Sequence, residues 1–205
     1  MVRHPTIIID DFFETPDQIR TWALQQKFYK HDGNYQGLRT DLLSLIDPIM
    51  QQFMINKMLE YSQYYYIDAL HTSFQLIDET WGDGWIHNDS KDLTIAGLVY
   101  LSPDAPNNSG TIIYDDPDPN MTLELTAGIQ KAFEIEVNEL DGNKRKELEV
   151  HRIKHNSQFR VSQVIENRYN RCVIFDCRRW HGAGKYFGNT PETSRLTLPF
   201  FVKAR

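Results

Sequence analysis

Trp85-Ile86-His87-Asn88-Asp89 is the stretch on which the reading turns. Trp81-Gly82-Asp83-Gly84 before it carries turn chemistry, and Trp85-Ile86-His87 reads as the strand that leaves the turn. After it, the apolar run from Leu93 to Leu101 reads as a buried strand, closed by Ser102-Pro103-Asp104-Ala105-Pro106. Working outward, Cys172-Val173-Ile174-Phe175 is a second buried-strand run. It leads into Arg179-Trp180-His181-Gly182, which places a histidine just past the end of a core strand. A third run, from Arg195 through Leu196-Thr197-Leu198-Pro199-Phe200-Phe201 to Val202, opens on an arginine.

His87, Asp89 and His181 supply two imidazoles and one carboxylate, with the first two residues two apart. That donor set is the one that holds non-haem Fe(II) on one side and leaves the opposite positions open. Arg195 could pair bidentately with the far carboxylate of a dicarboxylate ligand. Lys185, Arg178 and Arg179 are rivals for that contact. The strand-like setting favours Arg195.

In these residues the chain resembles the 2-oxoglutarate/Fe(II)-dependent oxygenase superfamily, and within it the prolyl-hydroxylase branch. The pattern of His-x-Asp, a long gap, a distal His and then an Arg on the last core strand occurs here in order, and the likeness spans roughly Tyr65 to Val202. The gap from Asp89 to His181 is long for a compact member and implies an insertion near 115–156. The resemblance implies metal ligation by His87, Asp89 and His181, with 2-oxoglutarate as co-substrate. Its distal carboxylate would then lie on Arg195, with Thr197, two residues along the same strand face, as a second donor and Tyr100 as a further candidate. It also implies decarboxylation to succinate and carbon dioxide, coupled to oxidation of a C–H bond. The expected substrate is a protein or peptide side chain, or else a small molecule. The alternative is a metal-binding, cupin-like jelly roll without oxygenase activity, acting as an isomerase or a binding module. Such a protein would have no need of a buried cation at Arg195.

The expected fold is mostly β: a double-stranded β-helix, or jelly roll, with N-terminal helices packed on one sheet. Residues 1–205 make one domain, with a helical part over about 1–63 and a jelly-roll core over 64–205. Periodicity alone indicates mostly β with helices in front. Thr15-Pro16-Asp17 and Asp47-Pro48 are helix starts, with a capping oxygen before a proline at the first helical position. Ile19, Trp22 and Ala23 repeat at helical spacing, as do Met50, Phe53, Met54 and Met58. The methionines read as core filler. Tyr64 to Ile77 reads as one strand, with Leu70, Thr72, Phe74 and Leu76 on its inner face. Lys30 to Gln36 is a loop, after which Arg39-Thr40 could reach the mouth of the barrel. Trp85, Trp180, Tyr114 and Tyr186 flank the metal motifs and could shape its entrance. Met121 to Asn156 is the least legible part. There Glu134-Ile135-Glu136-Val137 alternates like a surface strand, and Asp141-Gly142 suggests a hairpin turn. The acidic loop Asp115 to Asn120 lacks the order and the glycine of a calcium loop and reads as an exposed turn.

Composition bounds the rest. At 205 residues, with 40% hydrophobic and 12% aromatic content, the chain is an ordinary folded globule. A net charge of −6 argues against a nucleic-acid partner, which needs a basic footprint. Lys144-Arg145-Lys146 and the cluster from His151 to His155 read as solvated faces. No apolar run approaches the roughly 20 residues that span a bilayer. The start Met1-Val2-Arg3-His4-Pro5 lacks a signal-peptide apolar core, so a cytoplasmic location is expected. The two cysteines, Cys172 and Cys177, read as free buried thiols on opposite faces, in keeping with a reducing compartment. His71 reads as a surface or packed residue on a strand. His4, His31, His151 and His155 read as loop or terminal residues without a third ligand nearby. Oligomeric state leaves no signature.

Overall fold

The structure is a computed structural model that describes residues 3–30, 35–121 and 142–205. Among the described residues, ten strands form two antiparallel sheets. The larger sheet has the order β1 (Ile7–Ile9), β8 (Cys172–Asp176), β5 (Ile95–Tyr100), β10 (Arg195–Ala204), β4 (Gln75–Ile77) and β2 (Leu38–Arg39). β3 (Ile67–Thr72) pairs with the far half of β10. The smaller sheet is β7 (Val161–Ile165), β6 (Thr111–Tyr114) and β9 (His181–Ala183).

β10 is the spine. Leu196, Leu198, Phe200 and Val202 face one way, into the main core with Phe12, Phe13, Met50, Met54 and Met58. Arg195, Pro199 and Phe201 face the other way and line a cavity. A central strand buried on both faces has to read as a near-continuous apolar run, which β10 does. Pro199 cannot donate to a ladder. It sits where the neighbour of β10 changes from β4, which ends opposite Thr197, to β3, which begins opposite Phe200. The same change divides the stretch expected as one strand into β3 and β4, with Thr72 Oγ1 donating to the Pro199 carbonyl at 2.9 Å.

The N-terminal helices cover the face of the large sheet away from the cavity. α1 (Pro16–Leu24) starts after Thr15 as expected, but the Thr15 side chain makes no capping bond. α2 (Leu43–Ile46) is a short turn that periodicity did not show. α3 (Pro48–Tyr61) is capped by Asp47, whose carboxylate accepts from the amides of Ile49 and Met50 at 3.1 and 3.0 Å. Its buried stripe Met50, Met54 and Met58 lies on the sheet, so the methionines are core.

A second core lies between the sheets, with Ala96, Tyr100, Val173 and Phe175 from one and Ile113 and Ile165 from the other. Cys172 belongs to the first core and Cys177 to the second, which is the opposite-face placement expected of two free, buried thiols. Among the described residues no helix is long and apolar enough to cross a membrane.

Three local expectations change. The residues after Gly142 form a helix, α4 (Gly142–Asn156), and not a hairpin strand. Leu148, Arg152 and His155 recur at helical spacing along its buried stripe, and this outweighs the turn signal of Asp141-Gly142. His155 is therefore a fully buried helical residue. His4 is also buried, with its ring 5.7 Å from that of Tyr64. The basic residues at 144–146 are exposed, as expected. In the acidic loop, Asp115 pairs with Arg160 and Asp116 with Arg3, as an exposed turn should. His31, Gly33-Asn34 and Glu134 to Val137 lie outside the described residues.

Asp176 closes β8 and pins the N-terminal segment. It accepts from the His4 amide at 2.9 Å, from Arg178 Nε at 2.7 Å and from the Arg178 amide at 3.0 Å. Burial pushes its pKa up, but these donors and the guanidinium charge outweigh burial and hold it at about 2. A carboxylate depressed in the folded state contributes stability that is full above its ordinary value near 4. That stability is lost as pH falls toward 2. Asp176→Asn should therefore lower stability at neutral pH and flatten its fall between pH 4 and 2, as read by denaturant unfolding at a series of pH values.

Candidate metal centre

The 3₁₀ turn Glu79–Trp81 ends at Gly82, whose φ of +68° suits glycine. The chain then runs through Gly84 to His87 as an extended segment tied by isolated bridges, in place of the regular strand expected there. His87 and His181 form one such bridge. The His87 amide donates to the His181 carbonyl at 2.9 Å and the His181 amide to the His87 carbonyl at 2.8 Å. Directly opposed residues of an antiparallel pair present their side chains on one face. The two rings accordingly stand 4.5 Å apart. The Asp89 amide is held by the Cys177 carbonyl at 2.9 Å, which turns its side chain to the same place.

The candidate ligand atoms of His87, Asp89 and His181 all lie within 4.8 Å of one another. His87 Nε2 is 3.9 Å from Asp89 Oδ1, and His181 Nε2 is 3.7 Å from Asp89 Oδ2. Each imidazole makes a bond through Nδ1 to the carbonyl two residues before it, His87 to Trp85 and His181 to Arg179, both at 2.9 Å. A carbonyl only accepts, so Nδ1 carries the proton and Nε2 presents its lone pair to the cluster. Burial pushes the pKa of His181 down to about 4, against the opposing pull of Asp89, and this keeps the imidazole neutral and ligand-ready. Asp89 Oδ2 is buried and has no hydrogen-bond partner. A buried carboxylate oxygen left without a donor is costly, and a cation between the three tips would relieve that cost. The donor set therefore fits a divalent metal. With bonds near 2 Å, a bound ion would draw the tips to about 3 Å apart. Among the described residues no second cluster of this kind occurs.

The cluster opens on a cavity of about 340 Å³ between the sheets. Arg195 lines it, is 3% exposed, and donates through Nε to the Ser109 carbonyl at 3.3 Å. Its guanidinium lies 5.7 Å from the Tyr100 ring centre. Among the described residues no carboxylate forms an ion pair with Arg195. Thr197 is fully buried with its hydroxyl unpartnered, and it is not among the residues that line the cavity. The Tyr100 hydroxyl, also fully buried, donates to Thr111 Oγ1 at 2.6 Å, and Thr111 in turn lines the cavity. Of the rivals, Arg178 is engaged with Asp176, and Lys185 and Arg179 do not line the cavity.

Arg39 does line it, with its guanidinium 4.0 Å from the Tyr35 ring centre and 5.6 Å from that of Phe201. Trp85 and Tyr186 also line it, whereas Trp180 and Tyr114 pack around Phe159 instead. Gln36 and Gln75 escaped the sequence reading. The Gln75 amide donates to the Gln36 carbonyl at 2.7 Å, and the Tyr186 hydroxyl donates to Gln36 Oε1 at 2.6 Å. The signal was present in Ile77, an apolar residue on the strand face assigned to solvent.

A family profile described as "Family of unknown function (DUF6445)" matches residues 1–202. The chain belongs to this DUF6445 family. No curated protein matches it. Several solved structures share the fold of this DUF6445 protein at low identity. A Trichoplax adhaerens prolyl hydroxylase, solved in complex with a hypoxia inducible factor oxygen degradation domain peptide fragment, has a TM-score of 0.58 and 11% identity. The match covers 97% of this chain and 83% of that one. A Pseudomonas putida prolyl-4-hydroxylase has a TM-score of 0.55 and 11% identity, over 98% and 94% of the two chains. HygX from Streptomyces hygroscopicus, solved with nickel and 2-oxoglutarate bound, has a TM-score of 0.58 and 11% identity, over 97% and 83%. The resemblance to the oxygenase superfamily expected from the motifs is thus matched by the fold of this DUF6445 member.

Proposed function

We propose that this protein is a non-haem Fe(II)- and 2-oxoglutarate-dependent dioxygenase that hydroxylates a C–H bond of a protein or peptide side chain or of a small molecule. Succinate and carbon dioxide are the co-products. The observation that carries the proposal is the joint placement of His87, Asp89, His181 and Arg195 around one cavity. In this reading the two sheets are the halves of a double-stranded β-helix. Residues 1–205 form a single domain, helical over 1–63 and jelly roll over 64–205, with 115–156 inserted.

His87 and His181 would hold the metal through Nε2 and Asp89 through a carboxylate oxygen. When bound, Fe(II) supplies the activation of dioxygen and of the keto acid. This chain's own residues do the rest. The two backbone carbonyls behind the rings fix their tautomers. Asp89 contributes the balancing negative charge. Arg195 receives the distal carboxylate of 2-oxoglutarate and gains the counter-charge that its burial calls for. Thr197 adds a donor to that carboxylate, and Tyr100, held by Thr111, backs the guanidinium. Trp85, Phe175, Tyr186 and Phe201 restrict water at the reacting centre. HygX with its nickel and 2-oxoglutarate supports the metal and co-substrate reading. The prolyl hydroxylase with its peptide supports a peptide-sized opening. The acidic balance of the chain speaks against nucleic acid as substrate, and the free thiols suit a cytoplasmic setting. The test is formation of succinate from 2-oxoglutarate by the Fe(II)-loaded protein.

A further inference from the structure

The last turn of α4 ends against the segment that feeds His87 into the cluster. Asn156 lays its side-chain amide across that segment's backbone. The Ile86 amide donates to Asn156 Oδ1 at 3.0 Å, and Asn156 Nδ2 donates to the Gly84 carbonyl at 2.9 Å. One residue earlier, His155 Nε2 lies 2.7 Å from the Ile86 carbonyl, and it must donate there because a carbonyl only accepts. Both polar groups of Ile86, and the carbonyl of Gly84, are thus satisfied by two side chains of one helix end. Gly84 and Ile86 are buried, so water could not replace these partners at equal cost. The His155 ring packs 5.5 Å from that of Trp85 and 5.1 Å from that of Phe159. A turn further back, the buried Arg152 reaches Asp83 at 3.5 Å. The segment therefore behaves as a strand with two neighbours. One is His181, bonded to the amide and carbonyl of His87. The other is a helix that provides side-chain amide and imidazole groups where a strand would provide peptides.

We propose that His155 and Asn156 are positioning residues for the metal ligand His87, and that this is a role of the helix inserted between β6 and β7. The inference rests on the metal-site reading given above. The link is the Trp85 carbonyl, which lies between the two braced residues and accepts the Nδ1 proton of His87. If the backbone at Gly84 and Ile86 shifts, that carbonyl shifts with it, and the imidazole turns its Nε2 away from Asp89 and His181.

The experiment uses the full chain and Co(II) as the probe, with calorimetry for affinity and the visible Co(II) spectrum for ligand geometry. Asn156→Ala and His155→Phe should each weaken Co(II) binding by about 10- to 100-fold, the range for partners that orient a metal-bound histidine, and should alter the spectrum. His155→Gln places an amide nitrogen where Nε2 lies and should stay close to the parent protein in both readouts. Thermal unfolding of each metal-free variant shows whether it folds. Should Asn156→Ala unfold, Asn156→Asp takes its place, being isosteric and lacking the donor to Gly84. Parent-like affinity and spectrum in the folded Asn156 and His155→Phe variants would overturn the proposal. So would a His155→Gln variant as impaired as His155→Phe, since ring packing and not the hydrogen bond would then be what matters. Asp89→Ala separates the two readings. If it binds Co(II) as tightly as the parent, or the parent binds none, the metal site itself fails. If Asp89→Ala loses Co(II) and the braced variants do not, only the brace fails.

Discussion

Asp89→Ala should lose Fe(II) affinity by more than the roughly 100-fold that loss of an outer partner costs a metal site, and with it all coupled turnover. The substitution removes the only carboxylate ligand and the charge that balances the ion. It should do so without loosening the fold. Asp89 Oδ2 is buried without a hydrogen-bond partner, so the metal-free protein gains nothing from that oxygen. The melting temperature of the metal-free variant should therefore equal or exceed that of the metal-free parent. Added Fe(II) should raise the parent's melting temperature and leave the variant's unchanged. His71→Ala is the control, because His71 is exposed on β3, away from the cavity lining. Equal losses in both variants would point to unfolding, and succinate formation unchanged by Asp89→Ala would refute the ligand assignment.

Arg195→Ala should raise the half-saturating 2-oxoglutarate concentration strongly while Fe(II) binding stays nearly intact. Truncating one partner of a buried charged pair costs about 2–5 kcal/mol, or roughly 30- to several-thousand-fold in affinity. Arg195→Lys should be far from conservative, because lysine keeps the charge but loses the planar fork that grips a carboxylate at two points. Two controls define the result. Arg179→Ala, next to the distal histidine but not lining the cavity, should do much less. Arg39→Ala changes the other guanidinium in the cavity and should leave 2-oxoglutarate dependence in place. If Arg39→Ala carries the large effect and Arg195→Ala the small one, the co-substrate lies the other way round. If neither variant changes the dependence, the co-substrate assignment fails, and a metal-binding jelly roll without oxygenase activity becomes the better account.

The residues of the candidate metal cluster were legible because they are tied to strong local patterns. His87 follows a glycine-rich turn, and His181 follows the end of a five-residue buried strand. Arg195 was legible for the same reason, as the first residue of a ten-residue central strand. Features set by long-range pairing were not legible. The break between β3 and β4 depends on Pro199, more than a hundred residues away in sequence, and on the change of partner along β10. The commitment of the Tyr100 hydroxyl to Thr111 depends on how the two sheets face each other. Gln75 could not be placed in the cavity from alternation alone, because β4 is buried on both faces and the rule presumes one wet face. α4 was hidden by its composition. Its three buried positions are a leucine, an arginine and a histidine, so the apolar stripe by which a helix is recognised is largely missing. Buried His155 and half-buried Asn156, which carry little hydrophobic signal, are also the ones that bond to the backbone of the segment bearing His87.

Whether the site is an oxygenase centre is decided by decarboxylation of 2-oxoglutarate labelled at C1, by the Fe(II)-loaded protein in air, without any further substrate. Calorimetry first fixes concentrations at which both Fe(II) and 2-oxoglutarate are bound. Labelled carbon dioxide and succinate should appear together in equal amounts. Both should vanish when Fe(II) is chelated or Asp89 is replaced by alanine, and in the parent protein both should reappear when Fe(II) is restored. Absence of labelled carbon dioxide and succinate under conditions where Fe(II) and 2-oxoglutarate are both bound would rule out oxygenase activity at this site.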